Sequence, residues 1–139
     1  MFVRDIMTPL VKGVPHNAPL TQAAGIMRDE DTGFLPVMKG RDLIGVLTDR
    51  DIVVRGVVAG RNTRQMTASK VMTPSIATVR HDYDVAAAAS RMKEERVRRL
   101  MVTDEKGMLI GVVSLADLAR EIDDNCQKGE VLARVSCCC

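Results

Sequence analysis

The feature that most constrains the fold of this chain is an internal duplication. A Met-Thr-Pro triplet at residues 7–9 returns at residues 72–74, an offset of 65 (72 − 7), and apolar positions keep matching along the segments that follow. One inserted residue then changes the offset to 66 (114 − 48), which aligns Gly-Val-Leu-Thr at residues 45–48 with Gly-Val-Val-Ser at residues 111–114. A repeat kept in register over this length predicts two copies of one supersecondary unit.

Each half predicts the same order of elements, β-α-β-β-α. Apolar residues spaced i, i+3, i+4 and i+7 predict an amphipathic helix that begins at Leu20 in the first half and at Val85 in the second. Two apolar runs joined by a short polar link with glycine predict a hairpin after that helix. The predicted strands are Val11–Val14, Phe34–Met38, Leu43–Leu47, Ile76–Val79, Leu100–Thr103 and Leu109–Val113, and the predicted closing helices are Asp49–Val58 and Leu115–Ile122.

The size of the repeat predicts how the two copies are used. A unit of about 55 residues is too small to bury a good core alone. We therefore expect an α+β (two-layer α/β) fold in which two β-α-β-β-α repeats pack sheet against sheet with pseudo-two-fold symmetry. The predicted boundaries are residues 1–60 for the first repeat, 61–68 for a polar linker, 69–123 for the second repeat, and 124–139 for a flexible tail that contains the cysteines.

Composition argues against several classes of function. Aromatic residues make up 2% of the chain and its net charge is +2, which disfavours the stacking platforms and basic footprints of nucleic-acid-binding proteins. The chain has no apolar run near the ~18 residues that span a bilayer, so we expect no membrane insertion. The N-terminal residues do not resemble a signal peptide, and the cysteines, at positions 126 and 137–139, cannot cross-link the repeats. We expect a cytoplasmic protein.

The sequence contains no recognisable catalytic or metal-binding motif. A P-loop, a nucleophile elbow and a Cys–His pairing are all missing from it. The two histidines, His16 and His81, occupy equivalent predicted turns, and a metal site needs several converging ligands. We therefore expect no enzyme activity, no catalytic residue, no metal site and no cofactor.

The duplicated motif carries a resemblance to a known family. The pattern Gly-hydrophobic-hydrophobic-Thr/Ser-x-x-Asp occurs in tandem, at residues 45–51 and 111–117, each copy preceded by Met-Thr-Pro and a β-α-β-β unit. This arrangement, which covers roughly residues 3–123, resembles the CBS domain, a family named for cystathionine β-synthase. The resemblance implies two clefts between the repeats that bind AMP, ADP, ATP or S-adenosyl compounds such as S-adenosylmethionine. It also implies a homodimer and a signal-transduction role exerted on an unidentified regulated protein.

Two interpretations of the Thr/Ser-x-x-Asp motif stay open. It is a capping box, in which a hydroxyl and an acid satisfy free backbone N–H groups at a helix start. It also suits a nucleotide, because a hydroxyl donates to phosphate and an ionised carboxylate accepts from ribose hydroxyls. On the second interpretation, Thr48 and Ser114 bind phosphate, and Asp51 and Asp117 bind ribose.

The remaining candidate residues surround these two motifs. Arg50 and Arg99 are candidate phosphate ligands, because the guanidinium group matches phosphate geometry. We expect the base to contact aliphatic residues of the neighbouring strands, although these residues also fit an ordinary core. They are Val14, Leu35 and Pro36 for the first motif and Val79, Leu100 and Met101 for the second.

Two other functions stay open beside nucleotide sensing. One is a dimerisation or scaffold module that binds no nucleotide and uses its motifs only to cap helices. The other, which the composition disfavours, is nucleic-acid binding through the arginine-rich stretch at residues 91–99.

Overall fold

The computed structural model describes residues 1–9, 12–74 and 76–121. Seven strands and seven helical segments are assigned in that part of the chain, two of the latter forming one continuous helix. In chain order they are α1 (Val3–Ile6), β1 (Thr8–Pro9), β2 (Val14–Pro15), α2 (Leu20–Asp29), β3 (Phe34–Lys39), β4 (Asp42–Thr48), α3 (Asp49–Asp51), which continues as a π-helix (Ile52–Val57), α4 (Ala68–Val71), β5 (Thr78–Arg80), α5 (Val85–Glu95), β6 (Arg99–Thr103), β7 (Leu109–Ser114) and α6 (Leu115–Glu121).

This order confirms the predicted α+β fold with two β-α-β-β-α repeats. The first strand of each repeat is shorter than predicted, and the last residue of the predicted second closing helix lies outside the described residues. The first closing helix differs in type: after one α-helical turn it widens to π-helix, with Val58 N donating to Val53 O at 3.0 Å. The predicted tail at residues 124–139 also lies outside the described residues.

The chain forms two compact units that do not follow its order. The central unit comprises the described residues of Val11–Ile76, and the terminal unit those of Met1–Leu10 and Ala77–Cys139. The lead-in segment of each repeat, which contains Met-Thr-Pro, thus belongs to the unit that holds the other repeat's sheet. The predicted boundaries at residues 1–60 and 69–123 separate the two sequence repeats, whereas each compact unit contains segments of both repeats. These boundaries stay a prediction.

Each unit buries one face of its sheet against a helix. The central sheet has the order β2-β3-β4, with β2 parallel to β3 and β3 antiparallel to β4. Its core includes Leu20 and Ala23 of α2 and Leu35, Val37 and Leu47 of the sheet. The apolar periodicity of α2 and the alternation of the strands bring these side chains together, because both patterns select one face of their element.

The terminal unit repeats this arrangement and adds one strand. Its sheet has the order β1-β7-β6-β5, with β5 parallel to β6 and the other pairs antiparallel. Its core includes Val85, Ala88 and Met92 of α5 and Leu100 and Val113 of the sheet.

The Met-Thr-Pro segments pack on the glycine that begins each Thr/Ser motif. In the central unit, Val46 N donates to Thr73 O at 2.9 Å and Thr73 N donates to Val46 O at 2.8 Å. A Cβ added at Gly45 would lie 2.9 Å from the Thr73 carbonyl oxygen and 2.5 Å from the Met72 sulfur. A side chain at position 45 would therefore push the lead-in segment off the strand.

The terminal unit uses the same contact. Strand β1 pairs with β7, with Thr8 opposite Val112 and Pro9 opposite Gly111. A Cβ at Gly111 would lie 2.7 Å from the Thr8 carbonyl oxygen and 2.8 Å from the Met7 sulfur. The two motifs that recur together in the sequence are thus in contact in the fold, and the glycine is the residue that permits this contact.

We predict that Gly45→Ala lowers the free energy of unfolding by about 1–3 kcal/mol, because the added methyl group meets backbone that must shift. The midpoint of urea denaturation, at constant m value, measures the change. Gly25→Ala is the matched control, since a Cβ at Gly25 in α2 meets nothing within 4 Å. It should stabilise the fold by about 1 kcal/mol through helix propensity. Equal midpoints for Gly45→Ala and the wild type would contradict the steric role of the glycine.

Candidate functional site

The first motif forms a capping box at the junction of β4 and α3. Thr48 N donates to Asp51 Oδ2 at 3.0 Å, and Asp51 N donates to Thr48 Oγ1 at 3.1 Å. The two bonds satisfy backbone N–H groups reciprocally, as the capping interpretation requires. Asp51 is 9% exposed and is the buried charged residue among those described. We call this arrangement of Thr48 and Asp51 the central site.

Two residues outside the motif also contact the Asp51 carboxylate. Thr73 Oγ1 donates to Asp51 Oδ2 at 3.5 Å, and Arg55 Nη1 lies 3.9 Å from Asp51 Oδ1. The same Arg55 nitrogen donates to the carbonyl oxygens of Val71 and Met72, at 3.1 Å each. Because a buried carboxylate is tolerated only when it is paired or hydrogen-bonded, these contacts explain how Asp51 is accommodated. They also connect the motif to the end of α4.

The second motif forms an equivalent junction between β7 and α6, which we call the terminal site. Ser114 N and Ser114 Oγ both donate to Asp117 Oδ2, at 2.8 and 2.7 Å, and Asp117 N donates to Ser114 Oγ at 3.2 Å. Arg120 Nη2 donates to Asp117 Oδ1. The Asp117 side chain is 15% exposed and the Asp51 side chain 12%, so both carboxylates are largely removed from solvent.

A cavity of about 260 Å³ adjoins the Asp117 carboxylate within the terminal unit. Charged and apolar side chains of α1 and α6, together with Met1, line this cavity. The lining residues are Met1, Asp5, Ile6, Asp117, Arg120 and Glu121.

In the central unit, the strands place the predicted base-binding residues on two faces. Val14 and Leu35 lie in the hydrophobic core. Pro36 is also buried, but successive strand residues point to opposite faces, so Pro36 lies on the face away from that core. The register pairs Phe34 with Thr48. Pro36 and the Thr48 hydroxyl therefore share one face.

The terminal unit separates its candidates in the same way. Val79 and Leu100 belong to the core, whereas Met101 is buried on the other face of β6. The register pairs Arg99 with Ser114, so Met101, Arg99 and the Ser114 hydroxyl share a face. A role for any of these residues toward a base stays a prediction.

The two predicted phosphate ligands lie on different elements. Arg50 is an exposed residue of α3, one position before Asp51, and Arg99 is an exposed residue that begins β6. Their positions do not correspond in the two repeats, because Ala116 matches Arg50 and Phe34 matches Arg99 at the offsets of 66 and 65 (116 − 50; 99 − 34).

Three residues that contact the carboxylates were not predicted from the sequence. Arg55 and Arg120 follow their aspartates by four and three positions, a spacing that favours ion pairs on one helix face and could have identified them. Thr73 contacts Asp51 through tertiary packing of the lead-in segment, and local spacing carries no signal for that contact.

Other candidate sites receive no support within the part of the chain that is described. No group of three or more His, Cys, Asp or Glu side chains in that part is arranged to hold a metal ion. His81 Nε2 lies 3.5 Å from Glu105 Oε1, a pair rather than a ligand set. No helix in the same part of the chain combines the length and the apolarity that crossing a bilayer requires.

We predict that Arg55→Ala destabilises the fold by about 1 kcal/mol, because it removes a charged donor from two carbonyl groups at a half-exposed position. Glu121→Ala is the control, since Glu121 occupies the matching position of the second repeat (55 + 66 = 121). It should change stability by less than about 0.5 kcal/mol. Chemical denaturation measures both variants, and equal stabilities would show that the Arg55 contacts contribute nothing.

Comparison with known proteins identifies the family that shares both this fold and the duplicated motif. The family model described as CBS domain matches residues 3–56 and 68–124. Hypoxic response protein 1 of Mycobacterium tuberculosis is 39% identical over 123 residues, which cover 88% of this chain and 85% of that protein.

Solved structures are similar over the same region. A crystal structure of Hypoxic Response Protein I with two coordinated zinc ions has a TM-score of 0.77 at 36% identity, covering 88% of this chain and 99% of that one. A crystal structure of CBSX2 of Arabidopsis thaliana in complex with AMP has a TM-score of 0.70 at 26% identity, covering 86% and 93%. The duplicated strand-to-helix junctions, the element order and the two matched segments agree: this chain belongs to the CBS domain family and carries a tandem pair of CBS repeats.

Proposed function

We propose that the chain is a regulatory module that binds adenine nucleotides and modulates a partner protein according to their occupancy. The observation that carries this proposal is the pair of part-buried hydroxyl–carboxylate junctions, built by the same capping bonds in both units. The AMP complex of CBSX2, a protein 26% identical to this chain, supports adenine nucleotides as the ligand class. We propose binding without catalysis, since each site consists of a hydroxyl, a carboxylate in a capping box with it, and an arginine paired with that carboxylate.

Capping and ligand binding are compatible at the central site, whereas at the terminal site the Ser114 hydroxyl must exchange its bond to Asp117 Oδ2 for a bond to phosphate. An ionised carboxylate offers about four lone-pair positions on its two oxygens. In the central site the backbone and Thr73 use Asp51 Oδ2, while the nearest donor to Oδ1 is Arg55, at 3.9 Å. Ribose hydroxyls can therefore donate to the aspartate while the capping bonds persist. The Thr48 hydroxyl accepts from Asp51 N and can still donate its own proton to a phosphate oxygen.

We assign the base to the strand face that carries the hydroxyl. That face presents Pro36 beside Thr48 in the central unit and Met101 beside Ser114 in the terminal unit. Val14, Leu35, Val79 and Leu100 then support these faces from the cores. Arg50 and Arg99 are the proposed phosphate contacts.

Calorimetric titration with AMP, ADP, ATP and S-adenosylmethionine tests the proposal. We expect at least one of them to bind with a Kd below millimolar, and saturation at about 100 times Kd should stabilise the fold by about 2.7 kcal/mol. The double variant Asp51→Ala/Asp117→Ala should lose binding by at least tenfold, with a stability cost of about 1 kcal/mol per cap. Asp42→Ala, at an exposed strand end, is the control and should bind normally.

Two results would reject nucleotide sensing. In one, no adenosine compound binds at millimolar concentration. In the other, the double variant binds like the wild type and only its stability falls. Both results favour the alternative, a dimerisation or scaffold module whose motifs only cap helices.

We propose that the chain forms a homodimer through the π-helix and the residue after it. Val53, Val54, Val57 and Val58 are 54%, 48%, 57% and 74% exposed. Clustered exposed apolar side chains of this kind mark interaction surfaces. The matching residues of the second repeat include Ala119 and Arg120, so the valine surface belongs to the first repeat alone among the described residues.

We predict that Val54→Glu/Val58→Glu converts the dimer to a monomer, because paired carboxylates would be buried without partners. Light scattering coupled to gel filtration reports the mass directly. Glu94→Gln/Glu95→Gln, on the exposed end of α5, changes the net charge by two units as the valine variant does and should leave the dimer intact. A wild-type protein that is monomeric at micromolar concentration would contradict the proposal.

A further inference from the structure

Each lead-in segment places a methionine sulfur against the glycine that begins a Thr/Ser motif. A Cβ added at Gly45 would lie 2.5 Å from the Met72 sulfur, and one added at Gly111 would lie 2.8 Å from the Met7 sulfur. The two sulfur atoms therefore occupy the space that a side chain would take at either glycine. Both methionines also pack against the core of their unit. One thioether thus contacts the glycine and the core in each unit.

The backbone holds the two methionines in the same way. Each is the C-cap of a short helix and donates its backbone N–H to the carbonyl group four residues earlier, at 3.0 Å for Met7 and 2.9 Å for Met72. The next residue in both units is a threonine, which pairs with the residue after the motif glycine. If either methionine side chain leaves its glycine, the strand pairing next to it therefore loses its support.

The two methionines are also within reach of small solutes. Met7 and Met72 are half-buried, and the oxidation of sulfur side chains follows their exposure. Four other methionines are buried, and we expect them to react slowly; they are Met27, Met66, Met92 and Met101. The fold therefore exposes to oxidants the two methionines that pack on the motif glycines.

We propose that Met7 and Met72 are reversible oxidation sites, at which a hydroperoxide converts the thioether to a sulfoxide and so loosens the lead-in segment from its strand. The sulfur attacks one peroxide oxygen, the O–O bond breaks, and the attacked oxygen stays on the sulfur. With hydrogen peroxide, the departing oxygen takes up the proton of the transferred hydroxyl and leaves as water. The sulfur is oxidised by two electrons, which reduce the peroxide. This site does not depend on nucleotide binding.

The sulfoxide does not suit the contact with glycine and core. Oxidation turns a flexible apolar side chain into a polar one, and a buried polar oxygen without a donor is costly. Because each methionine is half-buried, its sulfoxide reaches water by leaving the glycine. At Met72 the change also affects the central site, since the adjacent Thr73 donates to Asp51 Oδ2 at 3.5 Å. Methionine sulfoxide reductases restore the thioether, which makes the change reversible.

Hydrogen exchange before and after treatment with hydrogen peroxide tests the proposal in the central unit. The amides of Val46 and Thr73 donate to each other's carbonyl oxygens, and we expect their exchange to become about tenfold faster after treatment. Incubation with methionine sulfoxide reductases should restore slow exchange. Prior alkylation of the cysteines, at positions 126 and 137–139, prevents their own reaction with peroxide. Peptide mass spectrometry identifies the oxidised methionines.

Substitutions separate these two methionines from the others. Met7→Leu/Met72→Leu keeps apolar side chains of similar volume and should make the exchange insensitive to peroxide. Met38→Leu/Met108→Leu is the matched control and should stay sensitive, because both residues are half-buried and neither is among the nearest neighbours of a motif glycine. Met72→Gln introduces a polar side chain and should speed exchange without peroxide, whereas Met108→Gln should not.

Three results would overturn the proposal. In the first, Met72 carries a sulfoxide and the exchange of Val46 and Thr73 is unchanged. In the second, Met7 and Met72 remain thioethers when the half-buried methionines of the control variant are fully converted in the wild type. In the third, Met7→Leu/Met72→Leu responds to peroxide as strongly as the wild type does.

Discussion

Each compact unit depends on the close packing of a Met-Thr-Pro segment against a glycine. In each unit the threonine carbonyl lies so near the glycine that no side chain fits between them, and backbone pairing joins the segment to the strand that carries the motif hydroxyl. The segment that precedes one repeat completes the sheet region of the other. Because of this exchange, each strand-to-helix junction is built from two distant parts of the chain, and a repeat is not a self-contained structural unit.

The exchange places the lead-in segments beside the carboxylates that we assign to ribose. Arg55 spans from the Asp51 carboxylate to the carbonyl groups at the end of α4, and Thr73 reaches the same carboxylate. A ligand that hydrogen-bonds to the Asp51 carboxylate would therefore also alter the contacts of that carboxylate with Thr73 and Arg55, and through them the position of the lead-in segment. A sensor of this design requires such a physical connection, because a ligand shifts an equilibrium only by its differential interaction with two states.

The sequence predicted more of the fold than of the site. Duplication and periodicity indicated the element order, because they depend on one face of each helix and strand being buried. They did not predict the π-helix after Asp51, since a widened helix keeps the same run of apolar and polar residues. The sequence left both a base contact and an ordinary core position open for Leu35 and Pro36; adjacent strand residues face opposite ways, and Leu35 lies in the core. Contacts such as Thr73 to Asp51 depend on tertiary packing, which no local pattern contains.

A crystal structure of the protein grown with AMP would locate the nucleotide relative to both Thr/Ser-x-x-Asp motifs. We predict an adenosine whose ribose hydroxyls lie within about 3.2 Å of the Asp51 or Asp117 carboxylate, with the base on the face of Pro36 or Met101. Nucleotide bound at saturation in contact with neither motif would contradict this prediction.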